Sequence, residues 1–252
     1  MTTIAITSGK GGVGKTSFSA NLAAALAETG ARTTVFDADL QLANLDIVLG
    51  VSPEFNLQHV VAGEKTLSDV LVEAPGGFKA ITGASAVPLL MRAGPKKLAL
   101  FFEQFGALAK TTDTLLFDCA AGLDNRVLHF LKFADDIILV ASPDPTSITD
   151  AYATAKTLFR RKPDARVHVV FNMASPHEGA KLFAMFEKIC WQYLKKRVGY
   201  LGSVRFDQAA ALATRKRELY VVANAGCKAA QDVRALAQSV RQFGDQTLKQ
   251  SA

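Results

Sequence analysis

The chain has 252 residues, 49% of them hydrophobic, and a formal net charge of +6, with an isoelectric point near 9.2. That is enough apolar material for one large α/β core, which excludes a disordered or fibrous chain. No apolar run approaches the roughly 18 residues needed to span a bilayer, and the chain opens on a strand rather than a basic, apolar leader, so no signal peptide is expected.

Thr3-Ile4-Ala5-Ile6-Thr7 is a β-branched run that reads as a first strand. Gly9-Lys10-Gly11-Gly12-Val13-Gly14-Lys15-Thr16 follows and matches G-x-x-x-x-G-K-[ST] at every fixed position. Ser17 to Glu28 then reads as a helix, with Phe18, Leu22 and Leu26 on one face and Gly30 just past its end. Arg32 to Phe36 is a second strand, running into Asp37-Ala38-Asp39. Between Leu40 and Gly94, prolines and glycines punctuate short elements, among them a helix over Leu67 to Val72 and a strand over Phe78 to Ile81.

Further along, helices are expected over Pro95 to Lys110, Asn125 to Phe133, Ser147 to Arg160 and Glu178 to Lys195. Strands are expected over Thr114 to Phe117, Asp136 to Ala141, Arg166 to Phe171 and Val198 to Val204, and a closing helix over Lys228 to Phe243. Strands alternating with helices, several of them continuously apolar, predict a mostly parallel sheet covered on both faces. With no composition break or linker, one domain over 1–252 is expected. In such sheets ligands bind at the carboxyl ends of the strands. Asp37, Asp39, Asp118, Ser142 and Asn172 all follow strands, so they should share one edge with the glycine loop.

The loop's chemistry is that of a nucleoside triphosphate. Glycines let main-chain N–H groups converge on phosphate oxygens. Lys15 supplies a charge for the β/γ-phosphates and Thr16 a hydroxyl for Mg²⁺. The cradle runs over Gly11, Gly12, Val13 and Gly14, with Lys15, Thr16 and Ser17 continuing into the helix. Lys10 comes too early to be the ordinary phosphate lysine, and its position suits a nucleotide held by a second copy of the chain. Leu115-Leu116-Phe117-Asp118 is an apolar strand ending in a carboxylate, which predicts Asp118 as a metal partner, directly or through water. Of the two carboxylates after the second strand, Asp37 is assigned to the metal shell and Asp39 to the attacking water; the competing reading is a turn cap. Asn172 has the donor and acceptor needed to read an adenine edge, and Asp207 is a similar, weaker candidate.

Cys119, Cys190 and Cys227 form no C-x-x-C pair, which argues against zinc and predicts buried thiols in a reducing compartment. Basic clusters at Arg160-Arg161-Lys162, Lys195-Lys196-Arg197 and Arg215-Lys216-Arg217 read as solvated faces or docking patches. Val233, Leu236, Ala237, Val240 and Phe243 form a core stripe on the last helix, and the tail beyond is polar rather than membrane-binding.

The loop with its early lysine resembles the deviant phosphate loop of the MinD/ParA ATPases. Asp37-Ala38-Asp39-Leu40-Gln41-Leu42-Ala43-Asn44-Leu45-Asp46, followed by Leu49-Gly50, resembles the MinD-like branch. Phe55-Asn56-Leu57-Gln58-His59-Val60-Val61-Ala62-Gly63 and Pro145-Thr146-Ser147-Ile148-Thr149-Asp150-Ala151-Tyr152 resemble the flagellar-number regulators FlhG/FleN. So does Asp118-Cys119-Ala120-Ala121-Gly122, with cysteine where threonine or serine is commoner. The resemblance implies a single-domain α/β P-loop fold, slow ATP hydrolysis with Mg²⁺, and an ATP-dependent homodimer with two nucleotides sandwiched at its interface. Lys10, Lys15 and Asp39 would be the catalytic residues, with Lys10 reaching the partner's nucleotide; Thr16, Asp37 and Asp118 would hold the metal, and Asn172 would read adenine.

Implied partners are an FlhF-like GTPase, flagellar switch proteins or a flagellar transcription regulator. The implied place is the cytoplasm, with peripheral contact at the inner membrane or cell pole. The chain departs from the family in starting at its first strand, in its polar tail, and in carrying Arg205 where relatives usually have proline. A MinD-like division regulator, a ParA-like partition protein with nonspecific DNA contact, and a metallochaperone-type reductase are the competing readings.

Overall fold

A computed structural model describes residues 1–39, 44–83, 94–122 and 125–250, apart from the side chains of 95, 125, 126 and 244–250. Its elements are β1 (Thr2–Ser8), α1 (Lys15–Glu28), β2 (Thr33–Ala38), α2 (Leu45–Leu49), α3 (Leu57–Ala62), β3 (Val72–Ala74) and β4 (Phe78–Ile81). Then come α4 (Pro95–Leu108), β5 (Thr114–Ala121), α5 (Asn125–Phe133), β6 (Asp136–Ala141), α6 (Pro145–Arg161), β7 (Arg166–Asn172) and α7 (Pro176–Ile189). A π-helical turn (Cys190–Leu194), β8 (Gly199–Val204), α8 (Gln208–Arg215), α9 (Tyr220–Ala223) and α10 (Lys228–Gln250) complete the chain.

The eight strands form one sheet in the order β3-β4-β2-β5-β1-β6-β7-β8. All pairings are parallel except β3 with β4. Both faces are covered, as continuously apolar parallel strands require. On one face Phe36, Phe117 and Ala5 pack with Phe101 and Phe105 of α4 and Phe130 of α5. On the other, Ile4, Ile6 and Leu116 pack with Phe18, Leu22 and Leu26 of α1 and Val233, Leu236 and Val240 of α10. The apolar stripe of the last helix is thus core, as its spacing predicts.

Two expectations are corrected. Leu67 to Val72 is not a helix: residues 67–70 form a turn, and Val72 opens an edge strand that returns on β4 through Pro75-Gly76-Gly77. Asp69 holds that turn by accepting from Thr66 N and Oγ1, both at 2.8 Å. The long helix over Glu178 to Lys195 is α-helical only to Ile189; its last turn widens, and Lys195 stops it in the left-handed region at φ 55°. Residues 40–43, within the stretch that carries the MinD-like motif, lie outside the described residues.

Candidate nucleotide site

The glycine loop joins β1 to α1 at the centre of the sheet, where β5 and β6 flank β1. Its shape is fixed by close approaches. Gly9 lies against α6, where a Cβ would sit 2.2 Å from the Asp150 carbonyl carbon. Gly14 adopts φ +81°, and a Cβ there would meet Asn172 Nδ2 at 2.5 Å. That same amide nitrogen donates to Val13 O at 2.7 Å. Asn172 therefore braces the loop from β7, a contact the adenine-edge reading does not anticipate. Gly14 is the N-cap residue of α1, with no side-chain cap and no acidic residue in the first turn, so the helix presents its N–H groups and positive dipole end to an anion.

Behind the loop lies a buried charge cluster. Lys15 Nζ is 3.3 Å from Asp118 Oδ1, and both side chains are buried. Ser19 Oγ donates to the same oxygen at 2.8 Å. Asp118 Oδ2 is buried without a hydrogen-bond partner among the described residues. Asp37 is the neighbour of Asp118 across β2 and β5. Burial, then the Asp118 charge, pushes the Asp37 carboxyl up to about 8, against hydrogen bonds from Asp39 N and Leu45 N. Two buried carboxylates, one with an orphaned oxygen, suit a hard divalent cation bound partly through water, and Thr16, half-buried, follows Lys15 in the chain. Asp37 thus also supports the start of α2, which partly realises the turn-cap alternative. Asp39 follows β2 at the same edge, half-buried.

Lys10 points the other way. Its Nζ donates to Thr146 Oγ1 at 2.8 Å and lies 3.5 Å from Asp144 Oδ1. Asp144 is the N-cap of α6 and accepts from Ser147 N at 2.9 Å. Hydrogen bonds from Ser142, Thr146 and Ser147 hold its carboxyl far below the usual range. The sequence does not single out Asp144 and Thr146 as partners of Lys10, because Pro145 at the first helical position moves the start of α6 two residues ahead of the expected Ser147. Ser19 is missing because only tertiary packing reveals that one turn of α1 brings it beside Asp118.

Two of the cavities along the loop bear on the site. One of about 270 Å³ is bounded by Lys10, Gly12, Ser142, Asp144 and Met173. The other, about 330 Å³, is walled by Gly14, Ser17, Asn172, Phe206, Asp207 and Tyr220, a size suited to a small ligand. Asp207 spends its oxygens on the main chain: Oδ1 accepts from Ala209 N and Oδ2 from Lys228 N, both at 2.8 Å. Burial raises its pKa, but these and neighbouring N–H bonds outweigh it and hold the group low. Its carboxylate shapes the cavity wall. Arg205 forms a bidentate pair with Asp232, and its own N–H donates to Asp232 Oδ2 at 2.9 Å. A proline at 205 could not make that bond.

Cys119 is buried, and burial pushes its thiol far above the usual range. Cys190 is buried and Cys227 half-buried. Among the described residues no cluster of three His, Cys, Asp or Glu side chains could hold a metal alone.

The CobQ/CobB/MinD/ParA nucleotide-binding domain model matches residues 4–220. The chain belongs to the MinD/ParA family. Antiactivator FleN of Pseudomonas aeruginosa is 40% identical over 94% of this chain and 85% of its own length. Flagellum site-determining protein YlxH of Helicobacter pylori is 36% identical over 86% of this chain and 74% of its own. Among solved structures, septum site-determining protein MinD from Pyrococcus horikoshii, complexed with Mg-ADP, superposes with TM-score 0.78 at 28% identity, covering 96% of this chain and 97% of that one. As a family member the chain is a P-loop ATPase with the single-domain fold expected of it.

Proposed function

We propose that this chain is an ATP-dependent dimerisation switch that regulates flagellar number and placement. The likeness to FleN across nearly the whole chain carries this reading. ATP's phosphates would settle on the main-chain N–H groups of Gly11 to Gly14, with Lys15 turning from Asp118 toward them and the base entering the cavity beside Asn172. Thr16, Asp118 and Asp37 would hold Mg²⁺, which when bound supplies charge neutralisation at the β/γ oxygens. Asp39 orients the attacking water. Lys10 leaves Thr146 and Asp144 to reach the nucleotide of a second copy. Slow hydrolysis then sets how long the dimer persists and docks its partners.

The partners proposed are an FlhF-like GTPase, flagellar switch proteins or a flagellar transcription regulator, met in the cytoplasm or peripherally at the inner membrane or cell pole. No helix among the described residues is long and apolar enough to cross a membrane. Deleting the gene and counting flagella per cell tests the role: altered number is expected, whereas a normal count with misplaced septa would replace it with the division-site reading.

A further inference from the structure

A basic and aromatic surface lies on the side of the molecule away from the glycine loop. α6 and α7 both begin near the loop edge, and their carboxyl ends run to the opposite side of the sheet. Two of the three basic clusters meet there. Lys196 Nζ donates to Pro163 O at 2.6 Å and lies 5.9 Å from the Phe159 ring centroid, which joins the end of α7 to the end of α6. Lys162 is turned inward, donating to Ala134 O at 2.5 Å and capping α5. Arg160, Arg161, Lys195 and Arg197 stay exposed.

α7 adds apolar groups to this charge. Its inner face is Gly179, Phe186 and Cys190. Its outer stripe reads Lys181, Met185, Lys188 and Trp191, spaced three to four residues apart. Met185 is 61% exposed, Trp191 50% and Tyr193 67%. The Arg197 guanidinium lies 5.2 Å from the Trp191 ring centroid. The neighbouring acids are Asp164 and Glu187, with Asp135 and Asp136 beside Lys162 and Glu178 at the far end of α7, against the exposed Arg160, Arg161, Lys181, Lys188, Lys195 and Arg197, so the balance at this end is positive.

We infer that this face, the outer stripe of α7 with the exposed arginines of α6, docks on an anionic phospholipid surface. Lysines and arginines beside an exposed indole, phenol and thioether are the composition of a helix lying in a bilayer interface. The charge complements anionic headgroups. Nucleic acid fits less well, because Met185 offers nothing to a phosphate backbone. The last helix does not supply such a face over 228–243, since its apolar stripe is spent in the core. The inference deepens the peripheral-membrane part of the proposed function and is independent of ATP hydrolysis.

Trp191 is the only tryptophan in the chain, so its emission reports on this face directly. The test is titration of the full chain with vesicles of equal parts phosphatidylglycerol and phosphatidylcholine, and with pure phosphatidylcholine. Expected are a blue shift, quenching by brominated lipid and co-sedimentation with the anionic vesicles only, reversed by salt. Lys188→Glu with Lys195→Glu, both exposed, should weaken binding about tenfold or more while leaving the circular-dichroism melt unchanged. No shift with anionic vesicles would overturn the inference, as would binding that ignores the charge reversal. A shift with duplex DNA or polyglutamate but not vesicles would overturn it too, and would assign the face to that ligand. A chain that hydrolyses ATP and dimerises but ignores vesicles loses this face alone; one that binds vesicles without hydrolysing ATP loses the switch alone.

Discussion

Asp37 and Asp118 stand side by side, register partners on β2 and β5, and both are buried. Lys15 and Ser19 serve one oxygen of Asp118, while main-chain N–H groups serve Asp37. The second oxygen of Asp118 has no hydrogen-bond partner among the described residues.

The first prediction concerns pH. The Asp37 carboxyl is pushed up to about 8 by burial and then by Asp118. The folded chain thus keeps a proton that the unfolded chain releases near pH 4. The linked stability is full below about pH 4, falls between about 4 and 8, and is flat above. Thermal melts in chelator from pH 4 to 9 should trace that fall. Asp37→Asn should flatten it and raise stability at pH 8 by about 1–3 kcal/mol, the scale of an uncompensated buried polar group. Parallel declines in the two proteins would remove Asp37 as the titrating group.

A second prediction follows from the orphaned Asp118 oxygen. Asp118→Asn should keep the fold but lower magnesium-dependent ATP turnover about a hundredfold or more. Chelation of the wild type should do the same. Turnover within threefold of wild type, about 0.7 kcal/mol of barrier, would take Asp118 out of the metal site.

Lys10 offers a third. Lys10→Ala should abolish hydrolysis while nucleotide affinity changes only a few-fold, because its proposed target is the other copy's nucleotide. Thr146→Val removes its nearest acceptor and leaves the Asp144 cap in place, so turnover should stay at or above wild type. Single-turnover assays with parallel nucleotide-binding titrations separate the two effects. Undiminished turnover in Lys10→Ala would end its catalytic role.

Arg205→Pro supplies the fourth. It removes the main-chain bond and the guanidinium pair with Asp232 together. A loss of about 1–3 kcal/mol in urea melts is expected, with weaker nucleotide binding because Arg205 also walls the larger cavity. Unchanged stability would mean that Asp232 finds another donor.

The glycine loop and its flanking strand and helix were legible because one short pattern fixes backbone and chemistry together. The elements that escaped are short: α8 is eight residues and β3 three, below the length at which periodicity separates helix from strand. Sheet order was not legible either. β3 and β4 separate β2 from β5 in sequence, so the contact of Asp37 with Asp118 follows only from β5 entering between β2 and β1. Asn172 and Asp207 read in the sequence as contacts to a base, whereas in the structure they bond main-chain atoms of the loop and of α8 and α10. Such long-range bonds leave no local trace in a sequence.

Helix α6 has a further consequence. It is 17 residues long, a rod of about 25 Å at 1.5 Å per residue. Its first turn holds Lys10 and its last turn bears Arg160 and Arg161. Gly9 is pressed against its second turn, so the rod cannot tilt without dragging the strand end that carries the loop. The exposed arginines and the partners of the loop lysine thus belong to the two ends of one stiff element.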